Sequence, residues 1–185
     1  MADPRPPRLR PLTDEECTPE QLELLEALGP SRSLHIFRTL VRHPKLYRRW
    51  APFAGRLLQG SSLPDRDREL VILRVAWRCA AGYEWGQHVG IARAAGLSDD
   101  EIRGAAAPLG DHGWSADDAT LLRAVDQLQD DHRIDDGTWT ALATRYGEEQ
   151  LIELTVLAGA YAMLAGTLGS LGVQLEGDQP ALGEV

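Results

Sequence analysis

Apolar residues recur along this chain at intervals of three and four, the period of helices with one buried side. The first helix opens at Thr18-Pro19-Glu20-Gln21. There a hydroxyl can accept an orphan amide, proline suits the first turn, and glutamine closes the capping box. Gly29-Pro30 predicts its end. A second helix is predicted over about Leu34 to Val41, with Leu34, Phe37, Leu40 and Val41 on one stripe. His43-Pro44 starts a third, through Leu46, Trp50, Phe53, Leu57 and Leu58 to Gly60. Ser62 and Pro64 open a fourth from Asp65 to about Ala80, with Gly82 as the break. The fifth runs from about Tyr83 to Ala95 and stops at Gly96, a favourable left-handed end. Ser98 to Glu101 is a capping box for a sixth, Ser115 to Asp118 opens another, and Asp135 or Asp136 begins the next. Gln150 begins a long apolar helix. Alternation of period two never persists, so the fold class is all-α.

Two larger features follow. Leu57 to Ala94 and Leu128 to Val173 show the same order of helices, and Leu151-Ile152-Glu153-Leu154 echoes Leu70-Val71-Ile72-Leu73. The fold is therefore expected as two loosely repeated halves, the second a packing partner without chemistry of its own. From Leu154 to Val173 no residue is charged, long enough for a membrane span. Gly159, Gly166, Gly169 and Gly172, with acidic instead of basic flanks, argue for a buried packing helix. No membrane is expected. Pro4, Pro6, Pro7 and Pro11 mark residues 1–16 as an arm, laid over a neighbour, before a helical domain at 17–176 and a tail at 177–185.

Composition removes several function classes. The formal charge of −9, with arginines mixed among acids as in Asp65-Arg66-Asp67-Arg68-Glu69, disfavours nucleic acid as a partner. Cys17 and Cys79 are too few for a disulfide framework. The Pro/Arg-rich start has no apolar core for a secretory signal, and a reduced cytoplasmic setting is the expectation.

Chemistry concentrates in residues 68–88. Asp67, Arg74 and Arg78 fall along one side of the fourth helix and are expected in water. Glu69 shares a side with Leu73, Ala76 and Ala80, pointing inward, where a carboxylate needs partners or a proton. Glu84 and His88 lie four apart and can meet on the fifth helix. A carboxylate beside an imidazole fixes its tautomer and suits it to acid–base work. Cys79, Tyr83 and Trp85 are candidates to line the same pocket. A metal site joining Glu84 and His88 to His112 or His132 has no close-spaced second ligand set, so no metal is expected.

Glu69 and His88 stand nineteen positions apart, the spacing of the outer members of Glu-x11-Cys-x2-Cys-x3-His. With Phe37-Arg38-Thr39-Leu40, His43-Pro44, Leu63-Pro64-Asp65, Tyr83-Glu84-Trp85 and Ala94-Ala95-Gly96-Leu97-Ser98, the chain resembles the carboxymuconolactone decarboxylase family, whose redox members are the AhpD-like proteins. The resemblance covers roughly residues 34–105 and implies an AhpD-like helical fold. It departs at the thiols: the two cysteine positions of the motif hold Ala81 and Glu84. Peroxide reduction needs one thiolate to attack and a second thiol to resolve the sulfenic acid, and neither residue can serve. The lone Cys79 reads as packing.

The non-redox branch so resembled implies a lyase or isomerase acting on a carboxylated lactone or a related small organic acid. Loss of carbon dioxide leaves an extended enolate that needs a proton. The expected roles are His88 as acid/base, Glu84 as its orienting partner and Glu69 as second proton acceptor or anchor. Arg56, Arg74 and Arg93 are candidates for a substrate carboxylate. No cofactor is implied. The family also implies a homo-oligomer, a trimer or hexamer. Two other readings stand beside this one: an AhpD-like peroxidase with peroxiredoxin-type activity, and a non-catalytic small-molecule-binding scaffold.

Overall fold

A computed structural model describes residues 6–185. The part of the arm at 1–5, including Pro4, lies outside the described residues. Nine α-helices and no strand occur among them. They are α1 (Pro19–Glu26), α2 (His35–Leu40), α3 (Pro44–Gln59), α4 (Asp65–Arg78), α5 (Gly82–Ala94), α6 (Asp99–Ala105), α7 (Ala116–Asp130), α8 (Asp136–Ala143) and α9 (Glu148–Leu171). The capping expectations hold where the side chains reach. Gln21 N donates to Thr18 Oγ1 at 3.3 Å while Thr18 N donates to Gln21 Oε1 at 2.8 Å. Ser98 and Glu101 exchange the same pair of bonds at the start of α6.

Helix α4 is the axis of the fold, packed against α5, α6, α7 and α9. Every residue from Asp67 to Ala76 is buried. That corrects the expectation of a wet side: Asp67 and Arg74 are 1% and 3% exposed. Each is buried because a distant partner neutralises it. Asp67 accepts from Arg145 at 2.6 Å and from the Tyr146 hydroxyl at 2.7 Å. Arg74 donates to Asp126 at 2.7 and 2.8 Å and to the carbonyls of Ala105 and Ala107. Helix α9 answers α4 on one side only. Leu151, Leu154, Leu157, Ala158 and Tyr161 face the core, while Ile152, Val156 and Met163 are exposed. It is long and apolar enough to cross a bilayer, and its inner side packs on α4.

Residues 8–12 and the segment after α9 fold back on the helices. The N–H groups of Arg8 and Leu9 donate to the Leu171 carbonyl, and that of Leu12 to Arg38. The described part of the arm thus lies on its own chain, supplying donors to the end of α9. The segment after α9 covers α5. Tyr83 Oη donates to Glu176 at 2.9 Å, Trp85 Nε1 donates to the Glu184 carbonyl at 2.8 Å, and Leu175 packs over Gly86. A Cβ on Gly86 would stand 2.6 Å from Leu175 Cδ2 and 3.0 Å from the Pro180 carbonyl oxygen. The Gly86→Ala variant is therefore expected to lift residues 172–185, costing about 1–3 kcal/mol. Limited proteolysis, followed by the mass of the shortened chain, checks this.

The α4–α5 junction departs from the expected Gly82 break. Helix α4 ends at Arg78, and the reversal is made by Ala80 at φ 52°, with Ala81 N donating to the Ala76 carbonyl at 2.8 Å. This is a left-handed helix stop that normally uses glycine. Ala80→Gly relieves the Cβ strain and is expected to raise stability by about 0.5–1 kcal/mol, read as a higher denaturant midpoint at unchanged slope.

Candidate active site

Three helices converge on one imidazole. Glu69 comes from α4, His88 from α5 and Tyr161 from α9. Glu69 is fully buried and His88 and Tyr161 are 6% and 9% exposed. Glu69 Oε2 lies 2.7 Å from His88 Nδ1, and Tyr161 Oη lies 3.2 Å from Nε2. The two rings meet edge to face, centroids 5.2 Å apart at 83°. Arg68 Nε donates to Glu69 Oε1 at 2.9 Å and its Nη1 to Asp65 at 2.5 Å. The inward Glu69 of the sequence reading thus has the partners that burial demands.

A carboxylate only accepts, so Nδ1 carries a proton. When the ring is neutral, Nε2 accepts from the Tyr161 hydroxyl; when it is charged, Nε2 donates to the same oxygen. The same two contacts serve both protonation states, which is what a proton relay needs. Burial first, then the carboxylates of Glu69 and Glu84, push the Tyr161 phenol well above its ordinary value. It therefore stays a donor.

Glu84 is not the orienting partner of His88. Both ring nitrogens are already held, by Glu69 and Tyr161. Glu84 is 3% exposed and neither of its oxygens has a hydrogen-bond partner. Burial pushes its carboxyl up to about 8, so it is neutral at pH 7. The remaining candidates divide. Cys79 is half-buried, with Sγ 3.4 Å from Gln129 Oε1, and burial and the nearby Glu84 raise its thiol. That is packing chemistry. Tyr83 and Trp85 direct their polar ends to the C-terminal segment and not to His88. Arg74 is bound to Asp126, Arg93 donates to Asp99 at 2.7 Å, and Arg56 is exposed. Among the described residues, no three His, Cys, Asp or Glu side chains are arranged to hold a metal ion.

Tyr161 was missed in the sequence because the second half was expected to carry no chemistry. Its signal is the one phenol in a helix rich in Leu, Ala and Gly, since a buried tyrosine hydroxyl usually has a partner. Tyr161 also lines a cleft of about 30 Å³ with Trp50, Phe53, Leu57 and Leu164.

These features define an all-helical protein with a buried acid–imidazole–phenol centre. Residues 44–127 match the model of the carboxymuconolactone decarboxylase family. The match contains Glu69, Cys79, Glu84 and His88 and stops short of Tyr161. No curated protein matches the chain. Three crystal structures share its fold. One is a protein of unknown function from Agrobacterium tumefaciens, proposed as the antioxidant defence protein AhpD, at 19% identity and TM-score 0.68 over 74% of this chain and 94% of that one. The second is an alkylhydroperoxidase AhpD core, an uncharacterized peroxidase-related protein from Ralstonia eutropha, at 12% and 0.78 over 93% and 94%. The third is an uncharacterized peroxidase-related protein from Silicibacter sp., at 12% and 0.75 over 94% of each. At these identities the likeness establishes the fold alone.

The two acids of the centre differ in how folding treats them. The unfolded Glu84 carboxyl titrates near 4.5 and the folded one near 8. Between these values the folded chain keeps a proton that the unfolded chain releases, so stability falls as pH rises through that window, by on the order of a few kcal/mol. Glu84→Gln is expected to leave stability at pH 5 nearly unchanged and to raise it above the parent at pH 9. Urea unfolding at both pH values checks this; an unchanged difference between them would count against the buried, unpartnered acid.

Proposed function

We propose that this chain is an acid–base enzyme of the carboxymuconolactone decarboxylase-like kind, acting on a carboxylated lactone or a related small organic acid. The buried line Glu69–His88–Tyr161 carries the reading. As carbon dioxide leaves, the electron pair of the breaking C–C bond passes into an enolate. Tyr161 gives its hydroxyl proton to the enolate and takes the Nε2 proton of the charged His88, which Glu69 stabilises. Solvent restores the imidazolium after product release. His88 keeps its expected acid/base role, Glu69 becomes its orienting partner, and Tyr161 is the group that meets substrate. Glu84, neutral below about pH 8, adds no second negative charge to repel an anionic substrate.

The cleft beside Tyr161, about 30 Å³, has room for water and not for a lactone. Substrate therefore enters by parting its walls, and Phe53 on α3, 43% exposed, is the most exposed of them. The peroxidase reading lacks a second thiol, since the other cysteine, Cys17, packs in a separate cluster around Leu25 and Val41. Self-association is part of the same proposal. Ile152, Val156 and Met163 leave an apolar stripe on α9, which supports a homo-oligomer such as a trimer or hexamer.

The test is carbon dioxide release from carboxylated lactones, with thiol-dependent peroxide consumption run in parallel. His88→Ala and Tyr161→Phe are each expected to lower kcat by about 10²–10⁴-fold with the helical circular dichroism intact. The parent rate should decline above about pH 8 as Glu84 ionises, and Glu84→Gln should remove that decline. Full activity in His88→Ala, or peroxide turnover lost in Cys79→Ser, would sink the reading.

A further inference from the structure

A second cavity lies away from the imidazole. It measures about 300 Å³, between α2, α3 and α9, and neither Glu69, Glu84 nor His88 lines it. Its walls are mostly aliphatic and aromatic, among them Leu40, Leu46, Trp50, Leu164 and Leu171. That volume is at the lower end of small-molecule sites, about 300–1,000 Å³. Size alone would leave only an apolar hollow.

Two hydroxyls change its character. Thr39 and Tyr47 both line the cavity and are each 2% exposed, and the hydroxyl oxygen of each is buried without a hydrogen-bond partner. A buried orphan hydroxyl is costly, and folded chains rarely keep two on the wall of one cavity. A helical threonine can donate to a carbonyl one turn back, as Thr120 and Thr167 do here; Thr39 does not. Burial pushes the Tyr47 phenol up to about 12, so it stays a neutral donor and acceptor.

The one guanidinium at the wall is partly engaged elsewhere. Arg42 also lines the cavity, but its Nε and Nη2 both donate to the Arg10 carbonyl, at 3.2 and 2.9 Å. Its side-on pair of donors is therefore taken by the backbone. His43 accepts the Leu46 N–H at Nδ1 as a helix cap, which fixes its ring at the rim.

We propose that this cavity is a binding site for a small neutral amphiphile, an aromatic or aliphatic body carrying one hydroxyl or carbonyl oxygen, held by Thr39 and Tyr47. The apolar body replaces water against Leu40, Trp50 and Leu164, and the single oxygen satisfies both orphan hydroxyls. The cavity shares Trp50 and Leu164 with the cleft beside Tyr161 but contains none of Glu69, His88 and Tyr161, and its test reads binding and not turnover, so the two readings fail separately.

The experiment uses 4-propylphenol and its isostere 4-propyltoluene, titrated into the full chain by calorimetry, with methyl chemical shifts read in parallel. The parent protein is expected to bind the phenol at least about tenfold more tightly than the isostere. Tyr47→Phe and Thr39→Val should each cost the phenol about tenfold and leave the isostere unchanged. Because each removes an unpaired hydroxyl, neither should lower the Tm, which certifies folding. The methyl signals of Leu46, Met163 and Leu171 should move. Equal affinity for both probes in all three proteins, no binding at millimolar concentration, or shifts confined to other methyls would overturn the proposal. So would a dimer in which a second copy already protects these methyls.

Discussion

One buried carboxylate sets the geometry of this protein. Glu69 sits at zero exposure on the helix that packs against α5, α6, α7 and α9. Removing an ion of that size from water costs several kcal/mol, repaid only by close, well-aligned donors. Arg68 supplies one from the next position and His88 the other. The second requirement is topological. His88 reaches Glu69 only if α5 folds back along α4, and the left-handed Ala80 is the residue that turns the chain. A strained alanine at the junction and a satisfied acid in the core are two ends of one constraint.

The same principle extends along α4. A helix buried on all sides by apolar residues alone would pack in several rotations of similar energy. Here Asp67 faces Arg145 and Tyr146 in the turn between α8 and α9, Arg74 faces Asp126 of α7, and Glu69 faces His88 of α5. Each pair fits one neighbour and penalises every other placement, since an unpaired buried charge is expensive. The polar residues of the central helix thus choose its register, while the leucines and valines supply most of the burial.

This division explains what the sequence could and could not tell. Period and caps locate helices because both are local, and Thr18 with Gln21 or Ser98 with Glu101 act within one turn. The inward aim of Glu69 is also local, a matter of its side of α4. Which helix faces that side is not. The partners of Asp67 and Arg74 lie 78 and 52 residues away, and Tyr161 is 73 residues from His88. The spacing of Glu84 and His88 offered a pair within one helix, and it misled for the same reason: a competitor from another helix had already taken each ring nitrogen. The repeat of Leu70–Leu73 in Leu151–Leu154 was legible as pattern, but α4 is enclosed where α9 has an open side.

Glu84 then becomes the most informative residue of the centre. It stands where the redox pattern has a cysteine, so the position already tolerates a reactive side chain in a dry place. Packing does not explain a carboxyl there, because an apolar residue would fill the space without leaving two oxygens unpaired, a cost of about 1–3 kcal/mol. Nor does it orient the histidine. What it does provide is an acid held neutral at pH 7 that, once ionised, opposes the ionisation of Tyr161. The core therefore contains two glutamates under opposite rules, Glu69 surrounded by donors and Glu84 by none. Environments that treat like groups differently are how one fold assigns separate acid–base tasks near neutral pH. With Ala81 and Glu84 at the motif's thiol positions, a buried imidazole held by a carboxylate and a second, unpaired acid favour the proposed proton chemistry over a thiol couple.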